Sequence, residues 1–365
     1  MKELNVKVPA VQETSYPIII GSGLLSKAMK MVNDKFPRYA KFIVSDICVA
    51  NAGLLKTLDP QGNIPKFIIN PAGEQSKTIQ TVISITEQME KAYMGRDTVI
   101  IALGGGTVGD MAGFAAAIFK RGIPVVQIPT TTVAQADSSV GGKTGVDSTI
   151  SKNAFGSFHH PAMVIIDVQT LTTLDDRQYM AGLIESVKHA LIMDAEYFDF
   201  IESNIENIIA RKTEILEAIA EKNCRIKASV VENDPTEKNQ RRALNYGHTI
   251  GHAIESASNF DLLHGESIAI GIIAAGLIEE EMSLADNAQH KRIRNILARL
   301  NMPAKIPASI SQQQIIELLK RDKKAVNSWP KFVLLEKIGK VHCIDNQWAI
   351  DVDEKLIRTI LPKLY

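Results

Sequence analysis

Ile101–Met111 reads IALGGGTVGDM and runs directly into AGFAAAIF over Ala112–Phe119. A short apolar run broken by three glycines, then an apolar stretch rich in small residues, predicts a buried strand, a tight turn and a helix laid against the sheet. Glycines in such a turn let backbone N–H groups approach a phosphate, and the helix terminus behind them adds the positive end of its dipole. A tight turn in any doubly wound sheet uses the same residues. The spacing is also not G-x-G-x-x-G, so the cluster alone does not specify a dinucleotide.

Outward from this turn the same grammar repeats. Lys41–Ser45 (KFIVS), Lys66–Asn70 (KFIIN), Thr98–Leu103 (TVIIAL), Val125–Ile128 (VVQI) and Met163–Asp167 (MVIID) are short runs bounded by Gly, Pro, Asp or Asn. Most gaps between them hold a helix-like stretch such as Ser76–Met94. Strands that are apolar throughout and separated by helices point to a parallel sheet covered on both faces. Leu4–Ile20 alternates polar and apolar residues and reads as a hairpin. Sixteen of the 23 glycines precede residue 160, and no proline lies between Pro161 and Pro235 or between Pro235 and Pro303. The second half accordingly reads as helices over Tyr179–His189, Ala195–Arg211, Glu214–Val231, Ala243–Ser256 and Glu266–Met282. Lys331–Ile344 predicts a short strand pair and Glu354–Ile360 a last helix. The expected fold is an α/β N-terminal domain with a mostly parallel, Rossmann-like sheet (residues 1–175), then an all-helical C-terminal domain (residues 176–365).

The formal net charge is zero, with 22% charged and 45% hydrophobic residues, which suits a globular enzyme and argues against nucleic acid or an anionic membrane as main partner. Any positive charge that matters must be gathered into a pocket. Three scattered cysteines, Cys48, Cys224 and Cys343, form no C-x-x-C pair and indicate neither a disulfide framework nor a thiolate zinc site. Neither a signal peptide nor a bilayer-spanning run is evident, so a cytoplasmic location is expected.

Leu244–Glu255 reads LNYGHTIGHAIE, with His248 and His252 one helical turn apart; His264 follows in LLHGESIAIG. Three of the eight histidines thus fall within 17 residues, among glycines. A histidine pair at this spacing, with a third ligand from elsewhere, can hold a divalent metal. Any one of the three taken singly reads better as a hydrogen-bonded core residue. Glu185, in the otherwise apolar AGLIESVKHAL, is the strongest candidate for the balancing carboxylate, because an unpaired buried carboxylate is costly. Lys188 lies one turn on. Thr130–Asp147 and Ser151–Pro161 are rich in hydroxyl and glycine residues and carry Lys143 and Lys152, a composition suited to gripping phosphate or carboxylate. Arg241, Arg242, Lys227, Lys323 and Lys324 are further cations for such a site.

Together GEQSKT, GGGTVGDMAGFAAA, KRGIPVVQIPTTTVAQADSSVGGKTGVD, KNAFGSFHHP, AGLIESVKHALI, RRALNYGHTIGHAIE and LHGESIAIG closely resemble the 3-dehydroquinate synthases, from about Gly73 to Gly339. The resemblance implies an NAD-binding domain joined to a helical metal and substrate domain, working as a homodimer. It implies metal ligands at Glu185, His248 and His264, holding zinc or cobalt, with His252 on the phosphate side. NAD contacts would fall on Asp46, Gly73, Glu74, Lys77, Gly105, Gly106, Gly109, Asp110, Thr130, Thr131, Lys143, Lys152, Thr170 and Thr173. Catalytic and substrate contacts would fall on Asp137, Lys143, Lys152, Asn153, Lys188, Lys227, Arg241, Asn245, His252 and one of Lys323 or Lys324. Arg121 would reach the partner subunit's phosphate site.

The implied reaction oxidises a secondary alcohol of a seven-carbon sugar-acid phosphate with NAD⁺, eliminates phosphate, reduces the ketone again and closes the freed enol on a carbonyl. NAD is regenerated, and the leaving phosphate can take the proton itself. Tyr246 and Ile250 stand where many relatives have Leu and Phe, a form closer to the deoxy-inosose synthases, and Thr172 replaces a common lysine. DSSVGGKTGVD keeps the dehydroquinate form. The alternatives are a cyclase of the 2-deoxy-scyllo-inosose or 2-epi-5-epi-valiolone type, acting on a neutral sugar phosphate, and a polyol dehydrogenase of the glycerol dehydrogenase type. A third is a non-enzymatic NAD-binding protein with a structural metal.

Overall fold

The computed structural model describes residues 15–259, 261–320 and 329–365. Among the described residues eight strands precede the helical half: β1 (Ile18–Gly21), β2 (Ala40–Asp46), β3 (Lys66–Ile69), β4 (Thr98–Gly104), β5 (Val125–Pro129), β6 (Lys143–Val146), β7 (Phe155–Phe158) and β8 (Met163–Asp167). Between them lie helices α1 (Leu25–Lys35), α2 (Ile47–Asn51), α3 (Leu54–Leu58), α4 (Ile79–Lys91) and α5 (Gly106–Ile118). Six strands form one sheet in the order β1-β8-β5-β4-β2-β3, every pairing parallel. All seven residues of β4 are buried, as an apolar strand covered on both faces requires. One face packs α4 and α5 through Val82, Ile85, Met89, Met111 and Ala115, and the other packs α1 through Leu25, Ala28 and Val32.

The opening hairpin expected over Leu4–Ile20 falls largely outside the described residues; its described part, β1, pairs in parallel with β8 through the register of Ile18, Ile19 and Ile20. The hydroxyl-rich stretches are not simple loops. Ala134–Ser138 forms a π-helical turn, and β6 and β7 pair antiparallel.

The strand order reverses between β2 and β4: the chain leaves β2 for β3 on one side and proceeds from β4 to β5 on the other. A crevice at the carboxyl ends of strands is the ligand site of such sheets. Asp46 ends β2, Gly104–Gly106 follows β4, and Thr130 follows β5, so all three meet that crevice.

The rest is helical apart from one small hairpin: α6 (Asp176–Met193), α7 (Ala195–Ile209), α8 (Thr213–Asn233), α9 (His248–Ala257), α10 (His264–Glu281), α11 (Asn287–Arg299), α12 (Gln312–Lys320), the pair β9 (Leu335–Lys337) and β10 (Lys340–Val341), and α13 (Glu354–Ile360). The expected helix over 243–256 begins later, at His248. Gly247 adopts φ 74°, and residues Gln240–Asn245 form a 3-10 turn. That glycine also lets α9 and α10 touch, since a Cβ built on Gly271 would lie 1.9 Å from the Gly247 carbonyl.

His290 of α11 is clamped between two carboxylates of α10: Nε2 lies 2.8 Å from Glu279 Oε2 and Nδ1 2.7 Å from Glu280 Oε1. Burial alone would lower the imidazole pKa, but the two carboxylates outweigh it and raise it above the ordinary 6.5. A raised folded-state pKa contributes stability that is complete below the unfolded value and is lost as pH rises through the folded one. Urea-unfolding midpoints should therefore fall as pH rises from about 6.5 through the raised folded-state value, and His290→Gln should flatten that part of the profile. An unchanged slope in the variant would show that the clamp is not its source.

Candidate active site

The glycine turn places α5 with its first residue, Gly106, at the crevice, and no side chain caps its N-terminus, so the first-turn N–H groups are open to an anion. A Cβ on Gly105 would meet Thr131 Cγ2 at 3.0 Å and one on Gly106 the Ser138 hydroxyl at 3.0 Å, which explains why side chains are excluded there. From this turn a chain of alternating charges leads into the helical half. Lys77 Nζ pairs with Asp110 (2.7 Å) and sits 4.0 Å from Glu74. Glu74 meets Lys152 at 3.2 Å, and Lys152 meets Glu255 at 3.0 Å. Glu255 Oε2 lies 3.4 Å from His264 Nδ1, and His264 Nε2 lies 3.3 Å from Glu185 Oε1. Lys77 also donates to Asn153 Oδ1 at 2.7 Å.

Glu185 and Lys188, on α6, are each 1% exposed and bonded through Glu185 Oε2. The other oxygen, Oε1, is buried and accepts no hydrogen bond. It faces His264 Nε2 and, at 3.7 Å, His248 Nε2. The Nδ1 of His248 lies 3.0 Å from the Tyr246 carbonyl, which can only accept, so Nδ1 carries the proton and Nε2 a lone pair. Glu255 takes the same position behind His264. Once His264 gives up its Nε2 proton, two imidazole lone pairs and the Glu185 oxygen converge, a set that fits a divalent cation. His248, His252 and His264 offer ring nitrogens within 4.8 Å of one another, and Asp137, Glu185 and His189 form a second such group. The second is already served by cations: Lys227 Nζ lies 2.7 Å from Asp137 Oδ1, beside the Lys188 ammonium. A metal among those three would face both ammonium groups, so the histidine side is the better home.

Electrostatics follow from burial and pairing. Burial alone would raise the carboxyls of Asp137 and Glu185, yet Lys227 and Lys188 hold Asp137, and Lys188 with the two histidines holds Glu185, well below the usual range. Lys227 is pushed down, first by burial and then by Lys188 and Arg241, despite Asp137. His264 is driven up to about 9 because its two carboxylate neighbours outweigh its burial. The pocket therefore sets buried ammonium groups among its carboxylates, and Lys227, whose charge is disfavoured by burial and by its cationic neighbours, suits an anionic substrate.

Other expected residues gather nearby. Lys143 pairs with Glu237, which also accepts from Asn245 Nδ2 at 2.9 Å. Arg241 is buried and gives its terminal nitrogens to the carbonyls of Gly141 (2.9 Å) and Pro235 (2.8 Å), pinning the loop before Lys143. Some lie apart or are otherwise engaged. Arg121 is exposed on the turn after α5. Asp46 caps α2 through Val49 N–H. Thr170 donates to the Asp167 carbonyl and accepts from Gln135 Nε2, and Thr173 donates to the Thr170 carbonyl. Lys323 and Lys324 lie outside the described residues.

Three residues that the sequence reading did not single out belong to the site: Glu255, Glu237 and His189. His248, His252 and Glu255 fall at i, i+4 and i+7, one stripe of α9, and His189 follows Glu185 by one turn. Those spacings were the available signals. His189 is fully buried, 3.5 Å from Asp137 on one side and 3.1 Å from Asn223 Oδ1 on the other.

The chain is similar to known proteins over nearly its whole length. A 3-dehydroquinate synthase from Symbiobacterium thermophilum is 40% identical over 90% of this chain and 93% of its own length. Among solved structures, 2-epi-5-epi-valiolone synthase from Streptomyces hygroscopicus subsp. jinggangensis, with NAD⁺ and Zn²⁺ bound, superposes with a TM-score of 0.87 at 26% identity, covering 98% of this chain and 99% of that one. A 2-deoxy-scyllo-inosose synthase complexed with carbaglucose-6-phosphate, NAD⁺ and Co²⁺ gives 0.84 at 29% identity, covering 95% and 96%. The family models for the 3-dehydroquinate synthase N-terminal and C-terminal regions match residues 67–181 and 182–325. The chain belongs to the 3-dehydroquinate synthase family.

Proposed function

We propose that this chain converts 3-deoxy-D-arabino-heptulosonate 7-phosphate to 3-dehydroquinate and phosphate, with NAD and a divalent zinc or cobalt ion as cofactors. The observation that carries the reading is the convergence of Glu185, His248 and His264 beside the buried ammonium groups of Lys188 and Lys227, at one end of a charge chain rooted in the glycine turn. Glu185, His248 and His264 would hold the metal, which supplies a Lewis acid that lowers the pKa of the hydroxyl being oxidised. NAD would be held against the α5 N-terminus and would supply a hydride acceptor whose reduced form gives the hydride back, so that NAD⁺ is regenerated.

The protein's own groups do the rest. Lys188, Lys227 and Asp137 grip the substrate hydroxyls and steady the negative charge that develops beside them. Lys143, held by Glu237, and Asn245 bind the carboxylate end, with His252, Lys152, Asn153 and Arg241 on the phosphate side. A homodimer, with Arg121 reaching the partner's site, and a cytoplasmic location complete the proposal. Among the described residues no helix is long and apolar enough to cross a membrane. We also place the domain boundary at 175/176, where Asp175 caps α6.

Incubation with the acid substrate, NAD⁺ and zinc should release phosphate and a carbocyclic product in equal amounts, with no net NADH absorbance. Turnover of glucose 6-phosphate or sedoheptulose 7-phosphate alone would point to another cyclase. Bulk NADH from a polyol would point to a dehydrogenase.

A further inference from the structure

Glu255 occupies a place that none of the assigned roles explains. It is 4% exposed, on α9 one turn beyond His252, and its two oxygens face different functional groups. Oε2 lies 3.4 Å from His264 Nδ1, and Oε1 lies 3.0 Å from Lys152 Nζ. Lys152 reaches on to Glu74 at 3.2 Å, in the turn that begins the nucleotide side. We propose that Glu255 is a positioning residue that fixes His264 as a metal ligand and, with its other oxygen, sets Lys152 for the phosphate end of the substrate. The inference rests on the metal and substrate reading given above.

The physical argument has two steps. An imidazole offers Nε2 to a metal only when the proton sits on Nδ1, and a carboxylate facing Nδ1 enforces that tautomer and the ring's orientation. His248 receives the same service from the Tyr246 carbonyl at 3.0 Å, which leaves Glu255 to do it for His264. Lys152 has a long, flexible stem, and two carboxylates on opposite segments restrict its ammonium to the position between them. One buried carboxylate therefore couples the geometry of the metal set to that of the anion-binding loop. Its removal should weaken metal binding and raise the substrate KM, while the rate at saturation changes less.

The test uses the full-length chain with Co²⁺ binding followed by competition with a chromophoric chelator, and with KM and kcat measured at saturating metal. Glu255→Gln keeps the size and one acceptor but loses the charge, and should bind Co²⁺ about 10- to 100-fold more weakly, with a several-fold higher KM. Glu255→Asp keeps the charge but withdraws it by one methylene. It should fall between the two in affinity and supplies the answer if the glutamine variant does not fold. Wild-type affinity and wild-type KM in either folded variant would overturn the proposal while leaving the metal reading intact. Failure of the unmodified chain to bind Co²⁺ would overturn both.

Discussion

Glu185→Gln should lower turnover by at least about three orders of magnitude and abolish tight metal binding. Its Oε1 is the unpaired atom between two imidazole nitrogens, at 3.3 and 3.7 Å, and its charge is the only one those nitrogens share on that side. An amide there brings either a neutral oxygen or an N–H₂ donor that competes with the cation. The Lewis-acid contribution to such an oxidation is worth several kcal/mol. At about 1.4 kcal/mol per tenfold in rate, about 4 kcal/mol gives the stated loss. The second consequence is structural. Lys188 loses the partner bonded to its ammonium and is left 1% exposed, with Asp137 and, more weakly, Glu237 as remaining acidic neighbours. Removing one member of a buried pair costs about 3–5 kcal/mol. The melting temperature should therefore drop along with activity, so metal content, turnover and thermal unfolding must be measured on the same preparation. A folded Glu185→Gln protein that retains wild-type metal affinity and more than about a tenth of the rate would remove Glu185 from the metal set.

The sheet was legible in the sequence because its strands are apolar throughout, and a covered parallel strand has no other way to look. The five strands read from the sequence, β3 at the sheet edge and the other four within it, fall where their β-branched runs lie. What the sequence could not show is that Ile18 pairs with Val164, over 140 residues away, because alternation carries no information about a distant partner. Helix existence was legible but the start of α9 was not, since Gly247 breaks the apolar period only through its backbone angle. The metal histidines could be found as a cluster. Glu185 was found because a charge among apolar residues needs a reason. Glu255 and His189 are polar residues on otherwise readable helices, and only the packing of α9 against the Lys152 loop, or of α6 against α8, shows what they face. The single helix register that joins His248 to Glu255 carried that information without announcing it.

Lys227→Met should lower kcat/KM by about 10²- to 10³-fold while leaving NAD binding intact. Lys227 Nζ lies 2.7 Å from Asp137 Oδ1 and also donates to the Asp137 carbonyl, on a side chain 6% exposed. Burial and the neighbouring Lys188 and Arg241 all disfavour its charge, and Asp137 does not fully compensate. A cation held against its own solvation is poised to gain more from an arriving anion than a solvated one would, and the gain grows as negative charge develops in the reaction. Methionine keeps the length and the apolar stem, so the loss isolates the ammonium. Asp137 then keeps the charge of Lys188 and the neighbouring His189, which argues for a folded variant and is checked by its thermal unfolding. Lys227→Arg should not restore the rate, because a planar fork needs more room than a point charge and spreads its donors away from Asp137. A kcat/KM within about threefold of wild type in the methionine variant would mean that Lys227 serves only to hold the π-helical turn of Asp137.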